Sequence, residues 1–515
     1  MEEIKIKPHD YQKNIFETCK EKDCLVILPT GTGKTLIALM LAIDRFKKFP
    51  LEKILMLAPT RPLIEQHFNY FKENLPDGWA DMQIFTGKTP SEKRGEIWQT
   101  AEFIFSTPQC ISNDLKKNLY NLSEVSLLIV DECHRCLKNY AYNLITQKYK
   151  TQGKNKRVLG LTASPGSESK TINQVCENLG IEAVEIRTRE SPDVKPYLKE
   201  LDFEKVEIDF PPELEEIRVL LTAIQDSKVT ELKNRKVLFT YPSKTVLLNL
   251  QTKLMIELKK SRDLNKMQAV SVISQALKIS HALELLETQT VSSLLSYLKG
   301  LFKQAEEKKS KGVQKLVKDP RFVKAFTLAT TLPNEHPKIS KLKEMIEEQI
   351  KKDKKSKIII FAQFRETVRK ISEELNKING INAKSFVGQS IKEYAPGKTT
   401  GLKQKEQKEI VEDFKKGKIN ILVATSIGEE GLDIPEVNEV IFYEPVPSAI
   451  RKIQRSGRTA RLSPGSLKIL ITKNTRDQIY HYAAYHKEKK MYKAIDKIKE
   501  EFESGKRTKQ ETLFE

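Results

Sequence analysis

The sequence predicts an α/β protein: two parallel-sheet domains with an all-helical domain inserted between them. Three observations predict it. From Cys24 to about Gly180, short and nearly all-apolar runs alternate with helical patterns. The same alternation returns from about Lys338. Between these stretches apolar residues fall at helical spacing and strand signals nearly vanish. Runs apolar on every residue suit strands covered on both faces, and their alternation with helices implies crossover connections.

In chain order, residues 24–28, 53–57, 103–105, 127–130 and 158–161 are the strands of the first sheet. In the middle, Ile217, Leu220, Leu221 and Ile224, and later Ile279, Ala282, Leu283 and Leu286, make helical stripes. Lysine becomes abundant over 303–318. Strands of the second sheet follow at 358–361, 421–423, 440–442 and 467–471. Beyond Asp477 a Lys-rich helix carries Tyr480, Tyr482, Tyr485 and Tyr492, expected to pack rather than stack on bases. The domains are then 1–200, 201–337, 338–480 and a basic carboxyl-terminal helix and tail at 481–515.

A chain of 515 residues exceeds one ordinary core and suits about three domains. Its formal charge of +20, from 89 Lys and Arg against 69 Asp and Glu, favours a polyanionic partner, nucleic acid ahead of an acidic membrane. A Lys-rich solvated surface would show the same charge. The six cysteines, Cys19, Cys24, Cys110, Cys133, Cys136 and Cys176, have no disulfide spacing. Cys133-His134-Arg135-Cys136 lacks the second cysteine pair that a zinc site needs. The opening MEEIKIKPHD has no apolar signal core, and no run approaches a membrane span, so the expected location is cytoplasmic and nucleoid-associated.

Pro29, Thr30, Gly31, Thr32, Gly33, Lys34 and Thr35 follow a strand and open a helix. Successive backbone N–H groups and the helix start form an anion nest there, and the glycines admit phosphate closely. Lys34 is expected to pair with the β- and γ-phosphates of ATP, and Thr35 to ligate Mg²⁺. The position where a first glycine or alanine usually stands is Leu28. An apolar strand ends in Asp131 and Glu132, followed by Cys133 and His134. Asp131 is expected to hold Mg²⁺ and Glu132 to orient and deprotonate the attacking water. His134 is either a coupling residue or an ordinary packed histidine. Far downstream, Arg458 and Arg461 lie three apart, as forks that can stabilise a transferring phosphoryl group. If both ends serve one ATP, two domains must close on it.

The order Gln12, PTGTGKT, Ala58-Pro59-Thr60-Arg61, Thr107-Pro108-Gln109, DECH, Thr162-Ala163-Ser164 and Gln454 through Arg461 resembles superfamily 2 helicases of the DEAH and RIG-I-like group. Within that group, Phe386-Val387-Gly388-Gln389, the stretch from Ala424 to Asp433 and Tyr443-Glu444-Pro445-Val446-Pro447-Ser448 are similar to archaeal Hef-type helicases, related to the Fanconi anaemia M family. The resemblance implies two RecA-like domains and further roles. Gln12 would read adenine, with His9 where a basic residue is often found. Thr60, Arg61, Thr86, Gly87, Thr107 and Gln109 would line a nucleic-acid track in the first domain. Gln363, Gly388, Gln389 and Thr425 would line it in the second. Their hydroxyls, amides and backbone groups suit phosphate and sugar rather than base edges. Thr162, Ser164 and Gln454 would couple the ATP site to that track, and Asp433 would sit at the domain interface. Ala460 stands where relatives usually have glycine.

The resemblance further implies 3′-to-5′ movement on forked, branched or single-stranded DNA in replication-fork repair. The lysines of 303–318 would grip duplex arms. No ERK triplet of an XPF-type nuclease occurs, so no DNA cutting is expected. The end, Gln510-Glu511-Thr512-Leu513-Phe514-Glu515, resembles the start of a sliding-clamp-binding peptide without its paired aromatics; a frayed polar tail fits as well. Two alternatives remain at this stage, an RNA-directed ATPase and a junction-binding clamp that does not unwind.

Overall fold

The computed structural model describes residues 5–504 except 167, 333–334, 390–391, 396–397, 429–433 and 461–462. The first domain runs α1 (Asp10–Glu21), β1 (Cys24–Ile27), α2 (Lys34–Lys48), β2 (Lys53–Leu57), α3 (Arg61–Asn74), β3 (Met82–Phe85), α4 (Ser91–Thr100), β4 (Phe103–Ser106), α5 (Pro108–Lys116), β5 (Val125–Asp131), α6 (Ala141–Gln152), β6 (Val158–Thr162), α7 (Ser169–Leu179) and β7 (Ala183–Ile186). Its seven strands are all parallel, in the order β3-β4-β2-β5-β6-β1-β7. β1, β2, β4, β5 and β6 are buried on every residue, because helices cover both faces. The sequence pattern missed β3 and β7, which are edge strands with partly exposed faces and no continuous apolar run.

Next comes β8 (Leu201–Ile208), and this corrects the boundary expected at residue 201. It is no part of the helical insert but the edge strand of the second sheet, parallel to β15 (Gly465–Thr472), with Leu201 opposite Gly465 and Ile208 opposite Thr472. Val206 and Ile208 enter the core while Asp202, Glu204 and Glu207 face water, so the run reads as polar.

The insert comprises α8 (Pro212–Asn234), α9 (Lys244–Lys260), α10 (Leu264–Thr288), α11 (Val291–Glu306), α12 (Lys311–Val317) and α13 (Pro320–Thr331). It has an inner core around Ile217, Leu283 and Leu298 and an outer core around Leu232, Leu247 and Ile273. The second domain adds α14 (Pro337–Lys352), β9 (Ile358–Phe361), α15 (Arg365–Leu375), β10 (Ala383–Phe386), the hairpin β11 (Lys392–Ala395) and β12 (Lys398–Thr400), α16 (Gln404–Lys415), β13 (Ile421–Ala424), β14 (Glu439–Phe442), α17 (Ala449–Ser456), β15 and α18 (Arg476–Glu503). Its parallel sheet has the order β10-β13-β9-β14-β15-β8.

Buried polar contacts lock the insert to the second domain. Thr367 Oγ1 donates to Gln289 Oε1 at 2.8 Å, and the Ser293 and Thr367 hydroxyls lie 3.1 Å apart. Lys338 Nζ donates to the Thr288 carbonyl at 3.0 Å and pairs with Asp477, both side chains fully buried. α18 begins in this seam and ends on the first domain, where Met491, Ala494, Ile495 and Ile498 join the core of Val175 and Val184. It therefore crosses the boundary expected at 480. Tyr480 and Tyr492 pack as expected, but Tyr482 and Tyr485 are exposed. Among the described residues no helix is long and apolar enough to cross a membrane.

Candidate nucleotide and nucleic-acid site

In a parallel sheet the loops after the strands gather on one edge, where ligands bind. The nucleotide loop follows β1, Asp131 and Glu132 end β5, and Thr162 ends β6; β5, β6 and β1 are neighbours. Chain continuity and strand order alone bring these three segments together.

Gly31 and Gly33 have φ of 82° and 81°, which the tight phosphate-type loop demands and side chains resist. Gly33 has a second constraint, since a Cβ there would fall 2.2 Å from Gln12 Nε2. Gln12 Nε2 donates to the Thr32 carbonyl at 3.0 Å, as does Tyr11 Oη at 2.7 Å, and Gln12 Oε1 accepts from His9 N. Thr32 Oγ1 donates to the Pro29 carbonyl at 2.7 Å. Lys34 Nζ donates to the carbonyls of Leu28 and Pro29, at 2.9 and 3.1 Å. Leu28 itself is buried in the core and its N–H donates to the Thr162 carbonyl, so its side chain plays no part in the nest.

Asp131 is buried and accepts a 2.8 Å hydrogen bond from His67 Nε2. Burial pushes its carboxyl up, yet the His67 bond and the charge of Lys34 hold it below the usual range, so it is ionised. Oxygen donors from an ionised Asp131 and the Thr35 hydroxyl suit a hard divalent cation. Glu132 adopts φ 48°, ψ 46°, a left-handed conformation uncommon for a side-chain-bearing residue. His134 Nδ1 shares a 3.1 Å hydrogen bond with Thr162 Oγ1 and lies 3.2 Å from Glu132 Oε2, without hydrogen-bond geometry to the latter. Thr162 Oγ1 accepts from Ser164 N at 3.1 Å, and Ser164 Oγ donates to Met491 Sδ at 3.0 Å. Among the described residues no cluster of three or more His, Cys, Asp or Glu forms a metal cage, and Cys133 and Cys136 are free and buried.

The second domain reaches the loop through Gly457, where a Cβ would fall 1.5 Å from Thr30 Oγ1. Arg458 follows directly and is buried, as is Gln454 one turn earlier. Arg455 on the same helix lies over the rings of both Phe361 and Phe442, at 4.9 and 5.6 Å from their centroids. Ala460 has φ 55°, which explains on backbone grounds why glycine suits this position. Arg461, Asp433 and the 510–515 tail lie outside the described residues. A cavity of about 90 Å³ opens between Pro29, Thr30, Arg187, Ser456, Gly457 and Glu488.

The residues expected along the track form two rows at strand ends. Thr60, Gly87 and Thr107 follow β2, β3 and β4, which are adjacent; Gln363, Gly388 and Thr425 follow β9, β10 and β13, adjacent in turn. Thr60 and Thr107 are the residues before α3 and α5. Gly87, Gln109, Gln363 and Gln389 are exposed, whereas Thr86 and Thr425 are buried. Arg61 donates to Glu65 at 2.7 Å, and Glu65 accepts from Lys408 of the second domain at 2.6 Å. The cleft between α3 and α16 there is about 400 Å³.

Sequence reasoning missed His67, whose one signal is that it lies on the helix opened by Arg61. It also missed the buried pair of Arg94 and Asp114, with Arg94 Nε donating to Asp114 Oδ2 at 2.7 Å, and Arg94 bonded as well to the Thr89 carbonyl. That pair ties the loop of Thr86 and Gly87 to α5.

Comparison with known proteins agrees with this geometry. Residues 9–172 match the DEAD/DEAH box helicase model and 337–463 the helicase conserved C-terminal domain. Residues 213–336 match a model described as "Putative ATP-dependent RNA helicase, helical bundle". A Methanocaldococcus jannaschii protein that shares this wording in its name is 40% identical over 94% of this chain, and 60% of its own length is covered. The mouse Fanconi anemia group M protein homolog is 33% identical over 94% of the chain, with 26% of its own length covered. The chain thus spans between about a quarter and three-fifths of these two relatives. The crystal structure of the Pyrococcus furiosus Hef helicase domain is 43% identical with a TM-score of 0.70, covering 93% of this chain and 98% of that one. By its two parallel-sheet domains, its helical insert and its likeness to that domain over nearly its whole length, this chain belongs to the superfamily 2 ATP-dependent helicases, in the branch of Hef and the Fanconi anaemia M proteins.

Proposed function

We propose that this chain couples ATP hydrolysis to movement along DNA, acting 3′-to-5′ on forked or branched substrates in repair. The observation that carries the reading is the contact of Gly457 with Thr30, which sets the helix before Arg458 against the nucleotide loop. Arg458, with Arg461, then completes the site when the domains close on ATP. Lys34 exchanges its loop carbonyls for phosphate oxygens. Thr35 and Asp131 would hold Mg²⁺, which supplies charge neutralisation at the phosphates. Glu132 orients and deprotonates water, and the bond between His134 and Thr162 passes the state of the site to Ser164 and α18. Gln12 and Asp433 complete the nucleotide contacts, and the two rows of strand-end residues grip the strand backbone alternately. Lys303 of α11 and Lys311 and Lys315 of α12 are exposed, and in this reading they would hold duplex arms.

The DNA assignment is supported by the fungal relatives named ATP-dependent DNA helicase, from Neurospora crassa and Schizosaccharomyces pombe, and by the Hef domain. The wording of the helical-bundle model and of the M. jannaschii protein supports an RNA-directed reading instead. ATP hydrolysis with forked DNA, single-stranded DNA and double-stranded RNA side by side decides between them, with Lys34→Ala as the blank. Forked DNA should stimulate most, and added salt should weaken its binding steeply. Stimulation mainly by RNA would overturn the DNA reading and leave the ATP site standing.

A further inference from the structure

The turn between α8 and α9 carries two aromatic rings that the fold does not use. Phe239 is 81% exposed and Tyr241 84%, whereas their neighbour Leu238 is buried in the outer core of the insert. The turn is held in place: Leu238 anchors it, Ser243 N donates to the Tyr241 carbonyl at 2.8 Å, and Ser243 Oγ caps α9. Large rings at such exposure on an anchored turn are the informative exception to burial.

Its surroundings say what the rings meet. Lys233, Arg235 and Lys236 precede the turn and Lys244 follows it. Lys244 Nζ pairs with Glu284 at 3.0 Å, and Glu284 also lies 3.4 Å from His281 Nδ1. The His281 ring is 5.5 Å from that of Phe364, the residue after Gln363; Arg365 next to it donates to the Gly388 carbonyl at 3.1 Å. A continuous set of contacts therefore runs from the aromatic turn to the strand-end row of Gln363 and Gly388. Glu284 is ionised, since against the push of burial His281 and Lys244 hold it at about 2.

We propose that Phe239 and Tyr241 stack on unpaired bases at the branch point of a DNA fork, beside the row that receives the strand. Stacking needs only a π-face, so it suits an enzyme indifferent to sequence. The exposed Lys233 and Lys236 meet the adjoining phosphates, while Arg235 is held by Glu231 and Lys244 by Glu284. The inference rests on the proposed action on branched DNA and adds the residues that meet the junction.

The test uses the full chain and a fork carrying 2-aminopurine at the unpaired position next to the branch, with a linear single strand as control. The wild type should quench the probe. Phe239→Ala with Tyr241→Ala should abolish quenching and weaken fork binding about tenfold or more. Phe239→Tyr with Tyr241→Phe should keep both signals. The alanine pair should leave ATP hydrolysis on the single strand within about twofold of wild type, which shows that the variant is folded. Alanine variants that bind and quench forks like wild type would overturn the proposal. A wild-type chain indifferent to forks would fail the DNA reading itself, and the proposal with it.

Discussion

His67 links two jobs through one imidazole. It donates to Asp131 from α3, whose first residue is Arg61 and whose Glu65 reaches Lys408 across the domains. A hydrogen bond to a buried ion contributes about 1.5–3 kcal/mol, and its loss leaves the carboxylate unsupported. His67→Ala should therefore lower stability by about that amount and cut DNA-stimulated ATP hydrolysis at least tenfold, while His67→Gln keeps a donor and recovers part of it. Melting curves and steady-state rates for the two variants check this; an alanine variant equal to wild type in both would remove His67 from the site. The histidine was invisible in the sequence because it lies 64 residues from its partner and belongs to no spacing pattern. By contrast, Lys34 and Thr35 open α2 just beyond the glycine loop that follows β1, and Asp131 and Glu132 stand at the end of β5, places that apolar runs and glycines reveal.

Among the elements, α18 does most to join distant parts. It starts at the buried pair of Lys338 and Asp477, touches α17 through Lys452 and Glu488 at 2.7 Å, and reaches Ser164 through Met491. Its last turns lie in the core of the first domain, where Ile495 is fully buried. Ile495→Ala should destabilise the first domain by about 2–4 kcal/mol through the cavity it leaves. Denaturant unfolding followed domain by domain, by proteolysis at intermediate concentrations, measures it; an unchanged first-domain midpoint would mean that the helix is only docked. The helix was legible from sequence, but its destination was not. A stripe of Ala484, Met491, Ala494, Ile495 and Ile498 states that a face is buried and leaves open against what. β8 shows the opposite case: a half-exposed edge strand has too few apolar residues to be told from a charged loop.

At the scale of the molecule, the insert, α14, α17 and α18 meet around a buried carboxyl. Burial pushes Glu444 up to about 7, against the nearby charges of Arg455 and Lys338. An acid with a folded pKa above its unfolded value of 4.5 binds more protons folded than unfolded between those values. Its contribution is therefore full below about pH 4.5 and is lost as pH rises through about 7. Glu444→Gln should remove that loss, raising stability near pH 8 by on the order of 2–3 kcal/mol while changing little near pH 5. Thermal melting of both proteins across this range tests it, and parallel profiles would contradict the placement of a protonated carboxyl in the seam.

Local residue pattern is enough to specify the two parallel sheets, the helical block between them and the segments that bear the chemistry. Apolar runs and glycines act through neighbouring residues, and a parallel sheet delivers every loop after a strand to the same edge. Which distant groups meet is set by the folded chain: His67 with Asp131, Gly457 against Thr30, β8 beside β15, and the end of α18 in the first domain. Those contacts join positions far apart in the chain, and their energy comes from close packing and shared burial, which no local pattern encodes.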